Sequence, residues 1–130
     1  MLPEADQAYL NERWPGHTVA GEGGQVVVVL PEFSLPDGFE PRIVEMLVML
    51  PFGFPETPPD MFWVSPRVTL RGAMPQTAEQ TQQILGRAWQ RFSRHLTQGS
   101  WRSGADNLQS WVAMINTMLQ REASTGRLVA

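Results

Sequence analysis

Residues 50–59 read Leu50-Pro51-Phe52-Gly53-Phe54-Pro55-Glu56-Thr57-Pro58-Pro59. Four prolines in ten positions fix φ and remove backbone donors, which forbids both a regular helix and a central strand. The segment is therefore a rigid, extended corner, and it divides the chain into what must pack before it and after it.

Upstream, Met1 to Arg13 reads as a short helix, with Pro3 suited to the first turn and Glu4 and Asp6 at the positive end of the dipole. Trp14-Pro15-Gly16 ends it. Val19-Ala20 starts a strand, Gly21-Glu22-Gly23-Gly24 marks a hairpin, and the β-branched run Gln25 to Leu30 is a second strand. Pro31 to Pro41, with Asp37-Gly38, signals a turn, and Arg42 to Leu50 reads as a third strand. Downstream, Met61 to Val64 is a short strand limited by Pro66, and Val68 to Leu70 is one more, where the sheet is expected to finish. Gly72 to Gln83 is polar. Ile84 to Leu96 stays open: Leu85, Trp89, Phe92 and Leu96 fall at helical spacing, but Gly86 and the lack of caps oppose a helix. The last element is a helix from Asn107 to about Arg121, with an apolar stripe of Leu108, Trp111, Val112, Ile115, Met118 and Leu119. Ser103-Gly104-Ala105-Asp106 resembles its capping box, and residues 123–130 are expected to fray.

These elements make an α+β domain of 130 residues, 42% hydrophobic, enough to close one core without a disulfide or metal staple. With no cysteine, disulfides, thiolate metal sites and thioester chemistry are excluded, and no cofactor is expected. The longest apolar runs are strand-sized and the acidic N-terminus lacks a signal peptide's basic start, so a cytoplasmic protein off the membrane is expected. Residues 1–60 hold ten carboxylates and two arginines, whereas residues 61–130 hold eight arginines and three carboxylates. That basic half suits an acidic protein surface or a carboxylate, while a pI near 5.3 argues against nucleic acid as a partner.

The basic charge gathers around Trp89 to Trp101, WQRFSRHLTQGSW, which sets Ser93, Arg94 and His95 side by side, with Arg91 two residues upstream. The order of helix, antiparallel meander of about four strands, proline corner, irregular segment and C-terminal helix resembles the ubiquitin-conjugating enzyme fold. Residues 50–59 resemble that family's pattern of an apolar residue and proline, an aromatic and proline, then a proline pair. Trp101 and the helix after it resemble the tryptophan and helix that close its active-site region. Eight residues before that tryptophan the family places its catalytic cysteine, and here Ser93 stands there. Trp89 to His95 and Trp101 to Asp106 further resemble the prokaryotic family E branch, whose members are associated with an activating enzyme, a protease and ubiquitin-like proteins. The resemblance covers roughly residues 3–120. The chain departs from the main family in its missing cysteine, in the absence of a His-Pro-Asn before the site, and in a longer stretch between Pro59 and Ser93.

What the resemblance implies is an acyl transfer in which Ser93 accepts the C-terminal acyl group of a ubiquitin-like protein as an oxyester. A hydroxyl needs a base for this, and His95 is the only nearby imidazole. Residues i and i+2 diverge on a helix but share a face of a strand, so a Ser93–His95 dyad requires an extended or turned segment. Arg91 or Arg94 could then stabilise developing charge or hold the donor's carboxylate, with Trp101 and Arg102 completing the binding surface. Asp106 could orient His95 or cap the helix. The competing account is a silent adaptor that binds the ubiquitin-like protein, the activating enzyme or both. In that account Ser93 caps a turn, His95 is structural and the arginines form a docking rim.

Overall fold

The computed structural model describes residues 2–129, with side chains through Thr125. Its elements are α1 (Glu4–Arg13), β1 (Thr18–Glu22), β2 (Gln25–Ser34), β3 (Phe39–Glu40), β4 (Ile43–Leu50), β5 (Phe62–Ser65), β6 (Thr69–Leu70), β7 (Gln80–Ile84), β8 (Arg87–Phe92) and α2 (Leu108–Val129). Six strands form one antiparallel sheet in the order β1-β2-β4-β5-β8-β7, and β3 pairs with β6 in a small second sheet. The arrangement is the expected α+β one, an N-terminal helix, an antiparallel sheet and a C-terminal helix.

The sheet does not finish after Leu70 as expected. Residues 80–92 fold back as the β7–β8 hairpin, and β8 pairs with β5 through Phe62↔Phe92 and Trp63↔Arg91. The turn is Leu85-Gly86, both with positive φ (53° and 77°), the pairing that a two-residue hairpin of the right twist requires. The helical spacing of Leu85, Trp89, Phe92 and Leu96 was coincidental: Trp89 and Phe92 are buried on opposite faces of a strand.

The valine run of β2 continues past Pro31 to Ser34, because a register shift between Leu30 and Phe33 places Glu32 at φ 52° and lets the strand carry a proline. The turn expected there is confined to Pro36–Phe39. The proline segment is the expected corner, closed by hydrogen bonds from Phe54 N to Pro51 O and from Thr57 N to Gly53 O, each 3.0 Å.

Strand alternation builds two apolar layers. Val28, Leu30, Met46, Val48, Phe62, Val64 and Phe92 face α2, whose Trp111, Ile115 and Leu119 cover them along with Leu10 of α1. Phe62 and Phe92 stack with centroids 5.0 Å apart. The other face carries a smaller cluster of Val27, Val29, Leu47, Trp63, Ile84 and Trp89. No helix among the described residues is long and apolar enough to cross a membrane.

α2 is capped one residue past the expected box. Asn107 Oδ1 accepts from Ser110 N (3.0 Å) while Ser110 Oγ accepts from Asn107 N (2.8 Å), a reciprocal pair that satisfies two orphan donors. Asp106 instead accepts from Arg102 N at 2.7 Å, in the turn before the helix. α2 outruns the apolar stripe read from sequence: Ala123 is buried, and the backbone stays helical to Val129. The part of the expected frayed tail beyond Thr125 lies, as regards side chains and Ala130, outside the described residues.

Candidate functional site

Residues 91–95 are extended, then tightly turned. Because β8 is a strand, Arg91 and Ser93 project to one face, and Arg91 Nε donates to Ser93 Oγ at 3.1 Å. Arg94 N reaches back to Phe92 O (2.9 Å), closing a three-residue turn around Ser93. Ser93 N donates to Thr77 O (3.0 Å) on one side, and Met61 N donates to Arg94 O (3.1 Å) on the other. Ser93 is half-buried.

His95 is engaged elsewhere. Its Nδ1 donates to Asp60 Oδ1 at 2.7 Å, with the two side chains 65% and 52% exposed. A carboxylate only accepts, so Nδ1 carries the proton in this pair. Among the described residues no hydrogen bond joins His95 to Ser93. Asp60 is the member that sequence reasoning missed. Its signal was its position, directly after the proline pair, where the corner delivers the chain beside the end of β8. Asp106, the partner first considered for His95, is held by the Arg102 backbone.

Arg94 is withdrawn from solvent. It pairs with Glu122 of α2, the two side chains only 13% and 12% exposed, and its guanidinium also donates to Gln76 O (2.7 Å) and Thr77 Oγ1 (3.0 Å). Glu122 Oε2 accepts from Gln76 N at 2.8 Å. Trp101 is half-buried; its Nε1 donates to Pro55 O at 2.8 Å and its ring lies 6.1 Å from that of Phe54. Arg102 is exposed.

Asp60 and Arg91 line one cavity of about 360 Å³ together with Met61, Trp63 and Pro58. His95 borders two others, each about 530 Å³, that run along α2 past Met118 and Arg121. Asp60 thus connects the face that carries Arg91 and Ser93 with the clefts against α2. Far from these, Asp6 is 2% exposed; burial raises its pKa above the ordinary carboxylate value, partly opposed by the hydrogen bond it accepts from Leu108 N at 3.2 Å. Among the described residues no group of three or more His, Asp or Glu side chains could hold a metal ion.

Comparison with known proteins yields no matching curated protein and no matching solved structure. A family model does match, over residues 2–122, and that span includes the proline corner, Ser93, His95, Trp101 and Glu122. The chain belongs to the prokaryotic E2 family E, of the ubiquitin-conjugating-enzyme-like type, and carries no cysteine where the main family has its nucleophile.

Proposed function

We propose that this chain accepts the C-terminal acyl group of a ubiquitin-like protein from its activating enzyme on Ser93, as an oxyester, and passes it to an amine or hydroxyl of a target. Family membership implies a role in a bacterial ubiquitin-like conjugation pathway, and hence a ubiquitin-like protein and an activating enzyme as partners. An associated protease would act on the products. The observation that carries the finer reading is the Asp60–His95 pair, two residues from Ser93, which sets His95 in the tautomer a general base needs. In the first step Ser93 Oγ bonds to the acyl carbon, the bond to the activating enzyme's leaving group breaks, and the Oγ proton passes by way of His95 Nε2 to that departing group. In the second step the acceptor attacks that carbon, His95 Nε2 takes the acceptor's proton, and the same proton goes to Ser93 Oγ as the ester bond breaks. Arg91 occupies one lone pair of Ser93 Oγ, leaves the hydroxyl proton free, and stabilises the oxygen as it gains charge. His95 has to turn toward Ser93 for either step, and its exposure leaves room for that.

A second reading, the silent adaptor, is favoured by a different observation: Ser93 Oγ is bonded to a donor, and His95 to Asp60, with no hydrogen bond between the two among the described residues. One experiment separates them. The protein is mixed with the activating enzyme, ATP and the ubiquitin-like protein, and intact mass is measured. An adduct that hydroxylamine removes and Ser93→Ala abolishes supports acyl transfer. Complex formation without any adduct supports the adaptor.

A further inference from the structure

Thr77 has φ 52°, a left-handed conformation that a β-branched residue adopts only when its surroundings impose it. Three hydrogen bonds from two neighbours impose it. Glu122 Oε2 accepts from Gln76 N (2.8 Å), Arg94 Nη2 donates to Gln76 O (2.7 Å), and Arg94 Nε donates to Thr77 Oγ1 (3.0 Å). The Arg94–Glu122 pair that ties these together is largely, though not fully, shielded between the end of β8 and α2, at the wall of a cavity. The carbonyl of this strained residue is the one that receives Ser93 N, at 3.0 Å. Breaks in regular structure usually loosen a chain. This one is held by that charge pair on both sides.

We propose that Glu122 and Arg94 are positioning residues for Ser93: their ion pair anchors residues 76–77 to α2, and the Thr77 carbonyl, so fixed, sets the backbone of Ser93 at the end of β8. A role for Arg94 in holding a donor carboxylate gives way to this one, because the guanidinium is already committed to Glu122, Gln76 and Thr77. The bearing on transfer rests on the reading of Ser93 as acyl acceptor; the bearing on the backbone does not.

Two measurements therefore test it separately. The first is amide hydrogen exchange of the unliganded full chain. Glu122→Gln is expected to lower protection at Ser93 by about tenfold or more while the β2–β4 amides keep theirs, because local opening and global unfolding are separable in exchange. Unchanged protection at Ser93 would overturn the proposal. Should Glu122→Gln fail to fold, Thr77→Val decides: it removes the Arg94 acceptor, leaves the ion pair, and is expected to lower Ser93 protection as well. The second measurement is single-turnover transfer to Ser93. Glu122→Gln is expected to slow it about 10- to 100-fold at saturating activating enzyme, the usual penalty of a misplaced reacting group, with the half-saturating concentration unchanged. A raised half-saturating concentration at an unchanged maximal rate would instead mark Glu122 and Arg94 as docking residues and overturn the positioning role. If the unsubstituted chain forms no adduct, the acyl-transfer reading falls, and hydrogen exchange still decides the clamp.

Discussion

Asp60 and His95 lie 35 positions apart in sequence and share one 2.7 Å hydrogen bond, made because the proline corner delivers Asp60 beside the end of β8. The pair is exposed, so its removal should leave stability nearly untouched and act on transfer alone. His95→Gln is expected to slow formation of the Ser93 adduct about 10²- to 10⁴-fold, the range a positioned base supplies. Asp60→Asn is expected to slow it by a smaller factor, since the wrong tautomer becomes accessible while the ring remains. Rapid-quench kinetics with intact-mass detection reads both; equal rates in all three proteins would remove His95 from the mechanism.

The hairpin turn offers a stabilising change. Leu85 occupies a left-handed position, exposed and outside both apolar clusters. An aliphatic residue there costs about 1–2 kcal/mol, and Asn before Gly is the preferred pairing for such a turn. Leu85→Asn is expected to raise the unfolding free energy by about 0.5–1 kcal/mol. Urea denaturation at neutral pH measures it, and a loss of stability would show that Leu85 packs in solution.

Asp6 couples the two helices through its bond to Leu108 N, 102 positions away, while its other oxygen is buried with no partner among the described residues. Burial raises its folded-state pKa above the ordinary carboxylate value of 3.8. The folded state therefore binds this proton more tightly than the unfolded chain, and ∂ΔG/∂pH is negative through that window. The stabilisation this group contributes is full below about 3.8 and is lost as pH rises through the higher folded value. Asp6→Asn keeps an acceptor for Leu108 N and has no charge to desolvate. Its stability relative to the unsubstituted chain is expected to improve as pH rises across the window and then level off, measured by urea titrations from acid to neutral pH. Asp6→Ala, which loses the cap, is expected to cost about 1 kcal/mol at low pH.

Trp101→Phe keeps a ring against Phe54 and deletes the donor to Pro55 O. The loss is expected to be about 0.5–1.5 kcal/mol, the net worth of one hydrogen bond, read from the urea midpoint.

What could be read from the chain alone was whatever rested on backbone rules. The prolines of residues 50–59 left one conformation class open, and the valines of β2 left little choice but a strand. The stripe from Leu108 to Leu119 declared α2, and the offset between Ser93 and Trp101 located the candidate nucleophile. What could not be read depended on pairing at a distance. Residues 80–92 lack alternation strong enough to announce strands, because Gln82 and Gln90 sit where apolar residues are expected. Gln90 is buried but satisfied by Val68 and Ala78, and Gln82 accepts from Trp63 Nε1. The same holds at the site. Nothing local in Thr77 or Glu122 marks them as neighbours of Ser93, since Glu122 meets Gln76 only after 46 intervening steps of chain have folded back. The capping signal was misread by four residues for the opposite reason: Ser103 and Asp106 form a plausible local box, but Asp106 satisfies the loop while Asn107 and Ser110 make the box that caps the helix.

The hydrogen bond from Trp101 Nε1 to Pro55 O has a bearing on how such chains are recognised. The two signatures that first suggested the fold, a proline-rich decapeptide and a tryptophan before a helix, meet at this contact as a single joint. They do not count as independent witnesses. In this chain the contact is a clasp at both ends of the intervening segment, Ser93 included, holding it against the rest of the fold.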